Sequence, residues 1–125
     1  MPQLVGDYVY VYGECDVSKL ETGLTYEIAV MVMLKDMPEE GEFMVTLELT
    51  LPDGTSKSHE VDFNKLPKNH WLVLVIGDFV AAATGVVTFS MTSKKAKKGL
   101  IIKGAVVHPV WSDNGENERQ RPIGL

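Results

Sequence analysis

Apolar and polar residues alternate with a period of two through much of the chain, which is the pattern of β-strands. Tyr8 to Tyr12 alternates two faces with its three tyrosines on one side, and Gly13 is expected to end this strand. The segments Phe43 to Thr50 and Val86 to Ser93 alternate in the same way. Each therefore predicts a strand with one buried face and one wet face.

Three further segments are almost continuously apolar. Thr25 to Leu34 predicts a strand buried on both faces, with a helix of the same length as the rival interpretation. Trp71 to Ile76 predicts another strand, closed by Gly77-Asp78, and Asp78 to Thr84 predicts a short helical turn. Leu100 to Val107 predicts the last strand, which Pro109 stops.

Pro52-Asp53-Gly54 lies between two alternating segments, the second running from Ser56 to Phe63. Proline presets φ for a turn and glycine takes its left-handed position, so this segment predicts a hairpin. The whole pattern amounts to about seven strands at intervals of roughly 10–15 residues without a long helical pattern. It indicates an all-β fold, an antiparallel, jelly-roll-like β-sandwich, instead of alternating β-α units.

The 125 residues, 45% of them hydrophobic and 23% charged, fit one globular domain. We expect the sandwich to occupy residues 1–110 and a polar C-terminal tail residues 111–125. The net charge of −5 argues against general affinity for nucleic acid. With Cys15 as the one cysteine, no intrachain disulfide forms, and its expected role is that of a small apolar residue near a strand end.

The first residues show no basic stretch followed by a long apolar run, so no signal peptide is predicted. No apolar run approaches the roughly 18 residues of a membrane span. His59, His70 and His108 lack metal-ligand spacing, and neither a glycine-rich phosphate loop nor a Gly-x-Ser-x-Gly motif is present. We therefore expect no enzyme activity, no metal and no cofactor.

Three segments in this order resemble the Nictaba-like, or phloem protein 2, family of plant lectins. The first is Tyr8 to Gly13 followed by Leu20 and Thr25-Tyr26. The second is the tryptophan strand Trp71 to Phe79, and the third runs from Lys97-Lys98-Gly99 through Gly104 to Pro109. The resemblance covers about residues 8–109, and it is the combination and order of segments that is specific.

The resemblance implies a β-sandwich that binds GlcNAc oligomers and the cores of N-glycans. It also implies a homodimer found in phloem sap, cytoplasm or nucleus, with a role in plant defence. The chain departs from the family in its binding residues. Acidic residues that the family associates with sugar binding fall in the strand corresponding to Val86 to Ser93, which has no acid here. Residues 1–7 do not match the tryptophan-rich stretch that fuller family members carry upstream of the first strand.

A sugar site needs an aromatic face against the C–H side of the ring and polar groups for the hydroxyls. The candidate carbohydrate-binding residues are Trp111, Trp71, Tyr8, Tyr10, Tyr12 and Lys98. For Trp71 core packing is the first expectation, and for the tyrosines packing between strands. Trp111 has the polar neighbours Ser112 and Asp113, so ligand contact competes there with tail docking or a dimer interface.

Two alternatives stay open at this point. A protein-interaction module on the same fold would explain the missing acids and tryptophans. An RNA-associated protein would use the lysine cluster formed by Lys94, Lys95, Lys97 and Lys98. This cluster lacks the interleaved aromatics of a single-strand surface, so a solvated loop is the simpler expectation.

Overall fold

A computed structural model describes residues 8–35, 43–94 and 99–110 of the chain. The strands in these ranges are β1 (Tyr8–Asp16), β2 (Thr25–Leu34), β3 (Met44–Thr50), β4 (Ser56–Asp62), β5 (Trp71–Val80), β6 (Val86–Ser93) and β7 (Leu100–Pro109). Short 3-10 helices, Val17–Lys19 and Phe63–Lys65, follow β1 and β4. No helix among these residues is long and apolar enough to cross a membrane.

The strands form two sheets that face each other. One sheet has the order β1-β6-β3-β4 and the other the order β5-β2-β7, and every neighbouring pair is antiparallel. Of the links between successive strands, only the β3–β4 hairpin stays within one sheet. The predicted antiparallel β-sandwich is therefore confirmed.

Alternation along each strand sends one set of side chains into the space between the sheets. This core holds the inward residues of β2 together with those of β3 and β6, and the two phenylalanines Phe43 and Phe63 meet edge to face with ring centroids 5.3 Å apart. The largest fully buried side chains are Phe43, Phe63, Ile28, Leu47, Leu49, Ile76, Met91, Val17, Val30, Val32, Val45 and Val87. Their removal from water is the main force that holds the sheets together.

The expectation that β2 is buried on both faces is confirmed. Its core-facing residues, such as Val30 and Val32, are fully buried, and so is the outward-facing Ala29. The central position of β2 between β5 and β7 agrees with this burial, since the small Ala29 is flanked in register by Val75 and Val106.

The predicted hairpin is also confirmed. The N–H of Leu51 donates to the carbonyl of Thr55 at 2.8 Å, and Gly54 takes the left-handed conformation with φ of 93°. The Asp53 carboxylate accepts hydrogen bonds from the backbone N–H and the hydroxyl of Thr55, which pulls down the pKa of Asp53.

Two predicted strand ends are wrong. Gly13 does not end β1, because it lies inside the ladder opposite Phe89 and its missing side chain leaves room for that ring. Gly77-Asp78 does not close β5 either, and Asp78 to Thr84 is no helical turn. The strand continues to Val80 past an irregularity in its pairing with β2, opposite Ile28 and Ala29.

Candidate functional site

The tyrosines of β1 do not share one face, contrary to the alternation in the sequence. A β-bulge between Val9 and Val11 shifts the register, so that Tyr8 pairs with Ser93 while Tyr12 pairs with Ser90 on the opposite face of β6. Tyr10, in the bulge, turns its ring to the core edge, where its centroid lies 6.2 Å from that of Phe43. A one-residue bulge leaves no mark on the hydrophobic pattern, which explains the wrong prediction.

Tyr12 stands on the outward face of the four-stranded sheet and is 61% exposed. Following the register across the sheet, its neighbours are Ser90 on β6, Glu48 on β3 and Ser58 on β4. Three steps between strands span about 14 Å, so the row offers an aromatic ring, two hydroxyls and a carboxylate in line.

Parallel rows on either side of this one are polar except for Val9 at one end. On one side of the Tyr12 row lie Glu14, Thr88, Thr50 and Ser56. On its other side lie Val9, Thr92, Thr46 and Glu60. We call the outward residues of β1, β6, β3 and β4 in these three rows the polar face. Its hydroxyls donate and accept hydrogen bonds and its carboxylates accept them, which suits a ligand rich in hydroxyl groups.

Sequence reasoning missed the carboxylates of this face. The strand β6 contains no acid, yet Glu48 of β3 lies beside Ser90 and Glu14 of β1 lies beside Thr88. The phenol of Tyr12 donates to Oε2 of Glu14 at 3.4 Å. The two strands next to β6, β1 and β3, therefore place carboxylates beside a strand that has none of its own. Only the order of the strands in the sheet reveals this proximity. The alternating Thr46, Glu48 and Thr50 were the available signal in the sequence.

Trp71 lies at the start of β5 and is 36% exposed, so the expected core position is wrong. Its side chain belongs to the outward face of the three-stranded sheet, next to Met33 of β2. The ammonium of Lys103 lies 5.6 Å from the centroid of the indole, within the range of a cation–π interaction. Trp71 and Tyr12 therefore face opposite sides of the sandwich and cannot line one ligand site.

The remaining candidates are not brought into the site. Tyr8 is 53% exposed on the other side of the β1 bulge from Tyr12. Trp111 and Lys98 lie outside the described residues, as does most of the lysine cluster. Among residues 8–35, 43–94 and 99–110, no group of three or more His, Cys, Asp or Glu side chains could hold a metal ion.

Two titratable groups near the polar face have shifted pKa values. Burial, and then the charge of neighbouring Asp16, raise the pKa of the Cys15 thiol, so that the reactive thiolate is disfavoured. The carboxylate of Asp16 accepts from the hydroxyl and the N–H of Ser18, which lowers its pKa. Neither arrangement activates a nucleophile or poises a proton donor for catalysis.

Fold and surface together define a two-sheet antiparallel β-sandwich protein with one polar outward sheet face. The sequence profile of the phloem protein 2 family matches residues 7–109, and the chain belongs to that family. A lectin from Luffa acutangula is 30% identical over 106 residues, which cover 82% of this chain and 51% of the relative. Protein PHLOEM PROTEIN 2-LIKE A2 from Arabidopsis thaliana is 32% identical over 108 residues, which cover 82% of this chain and 56% of the relative.

The chain therefore spans about half the length of these curated relatives. Among solved structures, the C-terminal domain of EclA, described as a sugar-binding protein, superposes with a TM-score of 0.51 at 17% identity. The match covers 81% of this chain and 67% of that one. At this identity the likeness concerns the fold, and it agrees with the two-sheet sandwich described above.

Proposed function

We propose that this chain is a non-catalytic carbohydrate-binding protein that recognises GlcNAc oligomers on the polar face. Membership of the phloem protein 2 family and the similarity to a protein named as a lectin support the class of ligand. The observation that carries the choice of surface is the row formed by Tyr12, Ser90 and Glu48, with an exposed aromatic ring at one end.

The chemistry of that row matches the two sides of a pyranose ring. The ring of Tyr12 offers its face to the C–H side of the sugar or to an acetyl methyl group. Glu48 accepts hydrogen bonds from sugar hydroxyls or an amide N–H, and such charge-assisted bonds are stronger than neutral ones. Ser90, between them, can donate and accept. Because the surface is an open sheet face instead of a deep pocket, we expect an elongated oligomer to bind better than a single sugar.

A calorimetric titration with chitotriose tests this assignment. We expect saturable binding by the wild type, and a loss of about 1–2 kcal/mol in Tyr12→Ala, roughly a 5- to 30-fold rise in Kd. Tyr8→Ala is the matched control, since it removes the same ring from the same strand on the other side of the bulge. Unchanged affinity in Tyr12→Ala, or an equal loss in Tyr8→Ala, would remove the polar face from the proposal.

A second candidate is a protein-interaction module on the same fold. The outward face of the three-stranded sheet favours it, because Trp71, Ile101 and Val106 leave apolar surface exposed there. If a correctly folded protein released no heat of binding on titration with millimolar chitotriose, the sugar-binding proposal would fall and protein interaction would become the proposed function. RNA binding through the lysine cluster would instead require a steep dependence on salt.

We further propose that the protein acts as a homodimer in phloem sap or cytoplasm, with a role in plant defence. Family membership and the name of the Arabidopsis relative support the phloem setting. A dimer would present two polar faces, and two modest sites that engage one glycan-bearing surface gain avidity without a new contact. Retention on a chitin column that falls when the protein is made monomeric would support this arrangement.

A further inference from the structure

The outward face of the three-stranded sheet is apolar over most of its length. Met31 and Met33 of β2 lie in register with Val73 and Trp71 of β5, while Ile101 of β7 flanks Met33 on the other side. We call the following set the apolar face: Ala29, Met31, Met33, Trp71, Val73, Val75, Ile101 and Val106. An antiparallel sheet that meets water on one side normally alternates apolar and polar residues, and these strands do not.

Part of this surface stays accessible in the described part of the chain. The side chains of Trp71, Val75, Ile101 and Val106 are all at least 36% exposed. Contiguous apolar patches of this kind are rare on soluble monomers and mark interaction surfaces or ligand grooves. A flat patch built from aliphatic side chains fits another protein surface better than it fits a sugar, because it lacks hydrogen-bonding groups.

Charged side chains lie at both ends of the apolar face, with carboxylates at one end and Lys103 at the other. At one end Glu27 is 3% exposed and lies 3.1 Å from Nε2 of His108. Its register partner on β5 is Asp78, whose exposed carboxylate has one oxygen 3.3 Å from the ammonium of Lys57 in the same chain. At the other end the ammonium of Lys103 lies over the ring of Trp71, in the row of Met33. These two rows are six residues apart along β2, or about 20 Å.

We propose that the apolar face is the interface between two copies of this chain, packed face to face with their strands antiparallel. A two-fold axis lying in the interface, perpendicular to β2 at the level of Val30, exchanges the two ends of the face. Lys103 of each copy then faces Asp78 of the other, whose exposed carboxylate can accept from Lys103 in addition to Lys57 of its own chain. The parallel arrangement would instead set Lys103 against Lys103. The same patch serves both copies, as a two-fold interface requires. This inference gives the proposed homodimer its contact surface.

The size of the face agrees with a weak but specific dimer. Three strands about 4.8 Å apart and ten residues long cover roughly 14 by 33 Å, so two copies bury on the order of 1,000 Å². That area stands at the lower limit for a biological interface, with the apolar residues central and the charges at the rim. We expect a Kd on the order of 1–100 μM.

Sedimentation over a range of concentrations tests the interface in the full chain. The wild type should dimerise, and Val106→Lys should raise the Kd roughly tenfold or more, because it buries an ammonium against an apolar surface. Val86→Lys is the matched control, since Val86 is 43% exposed against 40% for Val106 and lies on the other sheet. Circular dichroism checks that each variant is folded.

A charge exchange tests the antiparallel arrangement. Asp78→Lys and Lys103→Asp should each weaken the dimer about three- to tenfold, and the double variant should recover most of the wild-type affinity. Because Asp78→Lys also removes the ion pair with Lys57 of the same chain, circular dichroism checks that the single and double variants are folded. Failure of the double variant to recover would overturn the orientation. Dimerisation of Val106→Lys at the wild-type Kd would overturn the interface as a whole.

The outcomes separate this inference from the proposals on which it rests. A wild type that remains monomeric at every concentration would overturn the homodimer and the interface together, without bearing on chitotriose titrations. A dimer that binds no chitotriose would remove the sugar proposal and leave the interface standing. In the supported case, Val106→Lys binds chitotriose per chain like the wild type, because the polar face lies on the opposite side of the sandwich.

Discussion

The two outward faces of this sandwich differ although the strands beneath them share one core. On the four-stranded sheet the outward positions are filled mainly by hydroxyls and carboxylates around an exposed Tyr12. On the three-stranded sheet they are filled mainly by valine, methionine, isoleucine and Trp71. Since packing between the sheets uses only the inward residues, neither outward pattern is needed to hold the fold together. The difference in residue type therefore reflects the surroundings that each outward face contacts, whether solvent, a ligand or another protein surface.

A comparison of β3, an inner strand of the four-stranded sheet, with β2, the central strand of the other sheet, shows this difference most directly. β3 follows a strict alternation, with Leu47 fully buried and Glu48 exposed. β2 does not alternate, and its outward Ala29 is as buried as its inward Val30. A strand with one solvated face has no reason to be apolar on both faces, so β2 is suited to a cover on its outer side. The polar face is suited to solvent and to a solvated ligand.

The largest expected effect comes from the core that both faces share. Leu47→Ala should lower the free energy of unfolding by about 2–5 kcal/mol, because it leaves a cavity between the sheets. Its neighbour Glu48→Ala, which changes the polar face alone, should stay within about 0.5 kcal/mol of the wild type. Urea unfolding followed by circular dichroism measures both. Equal losses in the two variants would contradict the division between core and face.

The next effect concerns the edge strand that carries Tyr12. A Cβ atom added at Gly13 would lie 2.4 Å from the ring of Phe89, so Gly13→Ala must displace either β1 or that ring. We expect a loss of about 1–3 kcal/mol in stability. Thermal unfolding of Gly13→Ala with and without Phe89→Leu provides the check. If the smaller side chain brings no relief, the close approach is not the cause of the loss.

The sequence predicts most of the fold but only part of the site. Strands such as β3 and β6 follow from their period of two, and β2 follows from its continuous apolar run, because burial selects apolar residues on each buried face. The turn at Asp53-Gly54 follows from local conformational preference. The end of β1 was mispredicted because Gly13 looks like a terminator in one dimension and is a packing requirement against Phe89 in three.

The site depends on relations between strands that are far apart in the chain. Glu48 and Ser90 are 42 residues apart (90 − 48) and become neighbours only through the order β6-β3. Because of the bulge at Tyr10, Tyr12 faces outward while Tyr8 lies on the opposite face of the strand. A hydrophobic pattern with a period of two does not reveal such a one-residue insertion. For these reasons the sequence named Tyr12 as a candidate among others but missed the carboxylate that accompanies it.

An exchange of nearly isosteric residues between the faces sharpens the comparison. Val75→Thr with Val106→Thr replaces methyl groups by hydroxyls on the apolar face and should weaken dimerisation about tenfold. Thr46→Val with Thr88→Val makes the reverse change on the polar face and should weaken chitotriose binding about two- to tenfold. Sedimentation and calorimetry are applied to both double variants. Each pair should affect one assay and spare the other, and a crossed result would contradict the assignment of the faces.

The smallest expected effect lies in the β3–β4 hairpin at the edge of the polar face. Hydrogen bonds from the hydroxyl and the N–H of Thr55 lower the pKa of Asp53, and the carboxylate is fully exposed. A depressed folded-state pKa means that the ionised group stabilises the fold at pH values above the unfolded pKa. This contribution is lost as the pH falls through the folded pKa. Asp53→Asn keeps an acceptor oxygen but has no charge to titrate, so its melting temperature should fall slightly below that of the wild type at neutral pH.

The difference between wild type and Asp53→Asn should then close in acid, once the wild-type carboxyl is protonated. Differential scanning calorimetry at neutral pH and below the folded pKa of Asp53 measures it, with Asp16→Asn as a parallel case. Asp16 is held in the same way by Ser18, at the end of β1. A gap that stays constant with pH would mean that the hydrogen-bond geometry, and not the charge, stabilises these turns. Because neither carboxylate lies on the apolar face, dimerisation should be unaffected in both variants.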